Sequence, residues 1–561
     1  MRTKSLVPGT LAILLWVALW FSLVPAHGSA VLAGWEGLSF GSTRPADMQV
    51  AAGTNGVIQT VKLRIAYFDK SGAPIWGEVG LASHFFSSVG ATTGADAVVM
   101  YDPSVGRFYV IMQESPASGN QGFLDLAVSK TSNPTSSGTS DWYFYRFDIT
   151  EVSGGIDHGG DFGGLGFDNQ ALYVTFNMHP LPKYSDRPFL NCQILTFNKT
   201  AITSGSGSFT RLFTANGIDN GFSLRPATVT GTNSPGNVMY FGETPFNSSD
   251  KVRIWALSDP LGTPALTSAS VTVPDNGGQA GFAPQSGTSI ELDTVSGYTQ
   301  GNAFWYNGSL WFCHTAGGTS GRSKVYYYKV NSNNFPDSTP TLAESESIDG
   351  GPGVWTYIPA IGGNALGDVC IVFSQSSAST FPAVMSTTRA AAAASFDTPV
   401  TLKMSPNFYN GTTGVANEAR WGDWAGVGAD PVNNSFWVTH EWAKTTALEA
   451  WGTWVANVSV GNVDSDGDGF SDLEELQAGT DPLNPASAPG ITSTDLIGSD
   501  VQISFSSVAG KKYLVESNPT FPTGPWTVVA NNVVGTGGTV QVINPGAAGL
   551  PKQYYRVQVS P

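Results

Sequence analysis

Cysteine is nearly missing from this chain: 561 residues hold three, Cys192, Cys313 and Cys370. So few, so far apart, exclude a disulfide-built scaffold, and with no C-x-x-C or metal-ligand spacing they read as buried small hydrophobes, one disulfide at most being the alternative. Charge is also scarce, at 12% of residues, and lopsided: 27 Lys and Arg face 43 Asp and Glu, a formal net charge of -16. Phosphate binding draws its affinity from clustered cations, so nucleic acid is excluded as a partner, while cations and neutral ligands fit. Beyond the first residues there is no long apolar run, and no later segment reads as a membrane span.

The exception is the N-terminus. Arg2 and Lys4 precede an apolar stretch from Leu11 to Val24, then the small residues Gly28, Ser29 and Ala30. This is the pattern of a secretory signal peptide over residues 1–30, with Pro8, Gly9 and Pro25 arguing against an uncleaved anchor helix. The expected location is outside the cell, secreted or at its surface, with no transmembrane span once the leader is cut.

What the chain has in quantity is glycine, 66 copies, and aromatic residues, 12%. Together with few charges they suit many short strands joined by tight turns, and all-β structure is expected throughout. A weak unit recurs between Asp47 and Val460, with inner strand pairs near Met48 to Phe68, Ala97 to Met112, Gly163 to Phe176, Ala227 to Phe241, Ala303 to Cys313, Ile358 to Phe373 and Ala425 to His440. The turns are chemically legible, for instance Asp102-Pro103-Ser104-Val105-Gly106, Asn307-Gly308 and Asp430-Pro431-Val432-Asn433-Asn434, because Asn, Asp and Gly tolerate positive φ and Pro presets a corner. Seven copies, or six if one is misjudged, spaced by roughly sixty residues, predict a β-propeller over residues 31–460 with long loops on one rim.

Several strings carry a resemblance: Arg44-Pro45-Ala46-Asp47, Tyr67-Phe68-Asp69-Lys70-Ser71-Gly72, Asn302-Ala303-Phe304-Trp305-Tyr306-Asn307-Gly308-Ser309-Leu310-Trp311 and Arg420-Trp421-Gly422-Asp423-Trp424. Over residues 35–460 the chain resembles secreted bacterial sialidase-like propellers of the BNR type. That resemblance implies Asp boxes of the form S-x-D-x-G-x-T-W, of which one echo exists: Ser248, Asp250 and Trp255 keep the spacing, with Val252 and Ile254 where Gly and Thr belong.

It also implies arginines clamping a carboxylate through their planar forks. Arg44 and Arg420 each stand three residues before an Asp, Asp47 and Asp423, that opens an inner strand; Arg225 is near the matching point of the fourth copy, and His158 has the same offset before Asp161. Residues at the starts of inner strands converge on one mouth of a propeller channel, so Arg44, Asp47, His158, Asp161, Arg225 and Arg420 are the candidate ligand-binding set. The competing reading is structural: the Asp side chains cap turns and the Arg side chains tie blades together. Hydrolysis of a glycosidic bond would need paired carboxylates, about 5 to 5.5 Å apart for retention. Asp423, Glu418 and Glu441 are the nearest candidates, with His440 as a proton carrier.

The strongest motif lies beyond the propeller. From Asp464 to Glu475 the chain reads D-S-D-G-D-G-F-S-D-L-E-E, with oxygen donors at loop positions 1, 3, 5, 9 and 12 and the turn-making Gly at position 6. The expected metal ligands are Asp464, Asp466 and Asp468 through carboxylates, Phe470 through its carbonyl, Asp472 directly or through water, and Glu475 in bidentate fashion. Crowded carboxylates and hard oxygen donors select Ca²⁺, here at the weak extracellular affinity of roughly 10⁻⁴ to 10⁻³ M. The loop and the following Gly479-Thr480-Asp481-Pro482 resemble thrombospondin type 3 repeats and EF-hand-like loops of bacterial extracellular proteins.

The calcium loop and a Pro-rich linker occupy residues 461–490. Residues 491–561 alternate with period two in five stretches, among them Val501-Gln502-Ile503-Ser504-Phe505 and Tyr555-Arg556-Val557-Gln558-Val559, which predicts a small β-sandwich. Three functions remain in competition: extracellular binding or adhesion to a glycan or protein, glycoside hydrolysis of sialidase-like type, and a structural role in a surface layer.

Overall fold

The computed structural model describes residues 29–39, 43–115, 119–182, 188–318, 320–461, 475, 478, 480–481, 484, 486–487, 490–520, 524–550 and 552–560. Residues 1–28 of the expected leader, 1–30, and the expected ligands Asp464, Asp466, Asp468, Phe470 and Asp472 lie outside the described residues. Residues Val31–Ser459 form one compact unit, and Val460–Pro561 belong to another.

The first unit is built of four-stranded antiparallel meanders, and the described strands make seven of them. They run from Gln49–Ala52 to Pro74–Gly80, Ala95–Asp102 to Trp142–Asp148, Ile156–Phe167 to Phe209–Phe213, Arg225–Val229 to Ala265–Thr272, Thr299–Tyr306 to Thr341–Ile348, and Val354–Gly363 to Val400–Met404. The last comprises Gly426–Ala429, Phe436–Ala443 and Trp451–Ser459, and takes its outer strand from the other end of the chain, Ala30–Ser39. Where neighbouring inner strands pair, they do so in parallel, Phe167 opposite Thr228 and Ala227 opposite Ala303. Meanders set side by side around an axis by their first strands are a β-propeller.

The turns carry the chemistry expected of them. Asn307 and Gly308 both have positive φ, 45° and 88°, which suits a two-residue hairpin between strands of right-handed twist. At the Asp430 turn the Asp430 carboxylate accepts from Val432 N at 2.9 Å and from Trp437 Nε1 at 2.9 Å. It also receives Lys70 Nζ, from the first meander, at 2.7 Å, and so ties the first meander to the last. Gln59 does the same from deeper in the sheet: its amide donates to Thr439 and Thr453 and accepts from Leu38 N, all at 2.8 Å.

All three cysteines are buried and free. The echo of an Asp box does not sit between outer strands. Ser248 and Asp250 lie ahead of the third strand of their meander, Lys251–Ser258, and the Trp255 indole donates to Glu243 at 2.6 Å.

In the second unit, Asp500–Ser506 pairs with Ile491–Ile497 and Thr539–Asn544, and Lys512–Asn518 with Thr527–Val534 and Tyr554–Ser560. Phe505, Tyr513, Val515, Val542 and Val557 form a shared core, so two three-stranded sheets make a small sandwich. Among the described residues of the chain, no helix is long and apolar enough to cross a membrane.

Candidate functional site: an axial carboxylate cluster and a channel

The inner strands share a backbone device near their starts. Asp47, Asp96, Phe162, Ser223, Gly301 and Ile358, one from each of the first six meanders, have φ between 46° and 63°. Bulky or β-branched residues rarely adopt this conformation, so at Phe162 and Ile358 the surrounding packing must offset roughly 1 to 3 kcal/mol of strain each. The strain therefore collects at one mouth of the channel.

There a chain of polar contacts crosses from blade to blade. Gln113 donates through Nε2 to Asp161 at 2.6 Å and to Asp96 at 2.7 Å. Lys62 Nζ bridges Asp96 at 2.7 Å and Asp47 at 2.6 Å. Asp47 in turn accepts from the backbone N–H of Asp423 at 2.9 Å. Asp423 is ion-paired with Arg420, which also reaches Asp293 at 3.2 Å. Asp293 arrives on the long connection 273–298, whose strand Glu291–Leu292 pairs in parallel with Glu418–Ala419.

These carboxyls do not behave alike. Burial pushes the Asp47 carboxyl up, but the Lys62 ammonium and its hydrogen bond outweigh this and hold it below the usual range. Burial dominates at Asp96, which is held well above the usual range despite Lys62, with the like charges of Asp47 and Asp161 adding to the effect. Asp423 is pushed up to about 7, by burial first, with Arg420 opposing and Asp47 reinforcing. Beneath them Glu441 is buried and held well above its ordinary value, by burial and then by Asp47, although Gly422 N donates to it at 3.0 Å. The mouth thus pairs an ionised Asp47 with an Asp423 that titrates near neutrality.

The shift at Asp423 has a measurable consequence. Its folded-state pKa, about 7, lies above the unfolded value of roughly 3.9, so its contribution to stability is fully present below about pH 4 and is lost as pH rises to 7. Asp423→Asn should therefore improve relative to the unchanged protein, by at least about 1 kcal/mol, between pH 4 and pH 7.5 in paired thermal melts. A difference independent of pH would show that the carboxyl is not raised.

Of the residues expected at a site, Asp47, Asp161, Arg420 and Asp423 meet in this chain of contacts. Arg44 does not: it is ion-paired with Glu449, because Arg44 precedes the inner strand on the side of the 444–450 loop. Arg225 is near but enclosed, 2% exposed, with its guanidinium donating to Gly163 O at 2.7 Å and stacked on Phe162 and Trp424. Burial lowers it to about 10. His158 is buried against the Glu151 carbonyl, and Glu418 bonds to Thr413. His440 is wholly buried, bonded to Ser374 and the Ile358 carbonyl, and burial lowers it to about 4, so it is neutral in ordinary buffers.

Sequence reasoning missed Lys62, Asp96, Gln113 and Asp293. Aligning Ala46-Asp47-Met48 with Ala95-Asp96-Ala97 would have found Asp96, since both Asp residues hold the same left-handed position. Among the described residues, no group of three His, Cys, Asp or Glu side chains is placed to hold a metal ion. Lys62 and Arg420 are ion-paired with the cluster's carboxylates.

Toward the other ends of the inner strands, the channel widens into a cavity of about 340 Å³ lined by all seven meanders. Small residues are among its lining, Ala51, Ala303, Gly362 and Gly428. Its rim is formed by the hairpin turns, including the exposed Ser104, Asn169 and Asn233.

Comparison with known proteins adds one family. Residues 464–485 match the bacterial TSP3 repeat, a calcium-binding type of repeat found in extracellular proteins. No curated protein matches the chain significantly. Similar solved structures include a subtype N10 neuraminidase-like protein of A/little yellow-shouldered bat/Guatemala/060/2010, 11% identical, covering 66% of this chain and 100% of that one, with a TM-score of 0.34. Trypanosoma rangeli sialidase is 8% identical over 90% of this chain and 87% of its own, with a TM-score of 0.31. The Nup133 β-propeller domain of Vanderwaltozyma polyspora is 9% identical over 73% and 93%, with a TM-score of 0.32. Likenesses this distant assign neither activity nor ligand, and the propeller architecture rests on the order of the strands themselves.

Proposed function

We propose that the chain is a secreted, calcium-binding protein whose seven-bladed, sialidase-like propeller binds an extracellular glycan or protein without cleaving it. The reading is carried by the occupancy of the arginines. A carboxylate clamp needs free guanidinium forks, but Arg44 is taken by Glu449, Arg420 by Asp293 and Asp423, and Arg225 is buried against aromatic rings. Each meander counts as one blade, and the leader is removed on export.

A second reading, glycoside hydrolysis, is favoured by one observation: Asp47 and Asp423 are held at opposite ends of the carboxylate range, as an ionised group and an acid would be. The two separate on incubation of residues 31–561, with calcium, against a pool of defined glycans followed by mass spectrometry. Retention without change of mass is the expected result. New, lighter sugars, lost on Asp423→Asn, would overturn it in favour of the hydrolase.

The residues of the 464–475 loop fit calcium by their chemistry, since every expected donor is a hard oxygen and the carboxylates crowd one short loop. When bound, the ion would offset the mutual repulsion of these carboxylates. At calcium tenfold above Kd, linkage gives roughly 1.4 kcal/mol. Chelation should lower the melting of the Val460–Pro561 unit accordingly, and Glu475→Gln should remove the dependence; a melt of the unchanged protein indifferent to calcium would sink the assignment.

A further inference from the structure

The cavity on the turn side of the channel is separate in chemistry from the carboxylate cluster. Its volume, about 340 Å³, falls within the range of small-ligand sites, roughly 300 to 1,000 Å³. No Lys or Arg lines it, so nothing there recruits an anion. The aspartates that do line it are already satisfied. Asp102 is paired with Lys199 at 2.6 Å, Asp430 with Lys70 at 2.7 Å, and Asp168 accepts from Ala171 N and Gln170 N at 2.8 Å and from Tyr173 Oη at 2.9 Å. Recruitment of a cation would have to break these contacts.

What remains facing the cavity is neutral and polar. Among the described residues, the side chains of Asn169, Asn302 and Thr232 are tied to no neighbour, while the hydroxyls of Thr228 and Thr230 make only long contacts, 3.5 Å to Met100 Sδ and 3.4 Å to the Trp305 carbonyl, and keep their lone pairs for a donor. An amide offers two donors and an acceptor and a hydroxyl offers both, a pattern that matches the adjacent hydroxyls of a sugar ring rather than a charged group. The small residues of the inner strands add a surface on which the C–H faces of such a ring can rest.

We propose that this cavity, entered from the hairpin-turn rim, binds the terminal one or two residues of a neutral saccharide. The inference rests on the binding reading above and names its site and ligand class. The wall of the third, fourth and fifth meanders supplies the polar groups, and the opposite wall, with the partly exposed Gly428 and Ala429, supplies the apolar floor.

The test uses the full chain with calcium and three neutral disaccharides, lactose, cellobiose and maltose, with 3′-sialyllactose as the anionic counterpart, each titrated calorimetrically. At least one neutral disaccharide should bind, and 3′-sialyllactose at least tenfold more weakly than lactose where lactose binds. Thr230→Trp, which fills the cavity from a half-buried position at its rim, should abolish binding. Asn302→Leu, which keeps the volume and removes the amide, should weaken it at least tenfold with an unchanged melt. If the glycan retained by the unchanged protein is retained equally by a folded Thr230→Trp protein, the cavity assignment falls while glycan binding stands. If neither protein retains any glycan, both fall. Equal affinity for 3′-sialyllactose and lactose overturns the neutral class.

Discussion

A chain beginning at residue 40 should fail to form the cooperative propeller that a chain beginning at residue 29 forms. The missing strand, Ala30–Ser39, is the outer strand of the last meander. Trp35 packs on Trp437 with ring centroids 4.9 Å apart, Leu38 is buried, Leu38 O accepts from Thr453 Oγ1 at 2.6 Å, and Leu38 N donates to Gln59. Burial of the two large side chains alone is worth roughly 3 to 6 kcal/mol, comparable with the total stability of many domains. Trp451–Ser459 would also be left as an open edge, ready to pair with another chain. Size-exclusion chromatography and calorimetry of the two chains measure this; a soluble shortened monomer with its melting point within a few degrees of the longer one would refute it.

The second large effect is expected at Lys62. Among the described residues its ammonium is the only cation bonded to Asp47, whose side chain is 0% exposed, and it also holds Asp96. Lys62→Met leaves these carboxyls buried without compensation, and removal of one partner of such a pair costs roughly 3 to 5 kcal/mol. The sign with pH is fixed by what remains. Without Lys62 the Asp47 carboxyl rises above its unfolded value, so the variant is least impaired below about pH 4 and loses further stability as pH rises. Denaturant titrations at pH 4 and pH 8 should show the larger deficit at pH 8; an equal deficit at both would mean the site is held by packing rather than charge.

How much of this was legible in the sequence follows from the range over which each signal acts. Turns are local: Asn307-Gly308 and Asp430-Pro431 announce themselves because the residues that permit the backbone are the residues seen. Period two likewise gave the tail strands around Phe505 and Val557, whereas Ile491–Ile497, with Ser493, Thr494 and Asp495 blurring its alternation, went unmarked. Ring closure by Ala30–Ser39 has no local signature, since the strand it pairs with, Trp451–Ser459, lies more than 400 residues away.

The same limit explains the site. Arg44 and Arg420 share an offset to Asp in sequence, yet one turns outward to Glu449 and the other folds back on its own Asp423. Lys62 and Gln113 lie beyond the inner strands, and Asp293 comes from a loop between blades, so no spacing along the chain could have joined them.

The split last blade also sets an order of events in time. Leu38 emerges from the ribosome 415 residues ahead of Thr453, its partner. At about 5 to 20 residues per second, that interval is roughly 20 to 80 s. Throughout it the first strand has no mate of its own, and the meanders already made can assemble only as an open arc. The closing strand, threaded last, converts that arc to a ring in a single step, so a protein stalled before residue 451 is not a smaller propeller but an unfastened one.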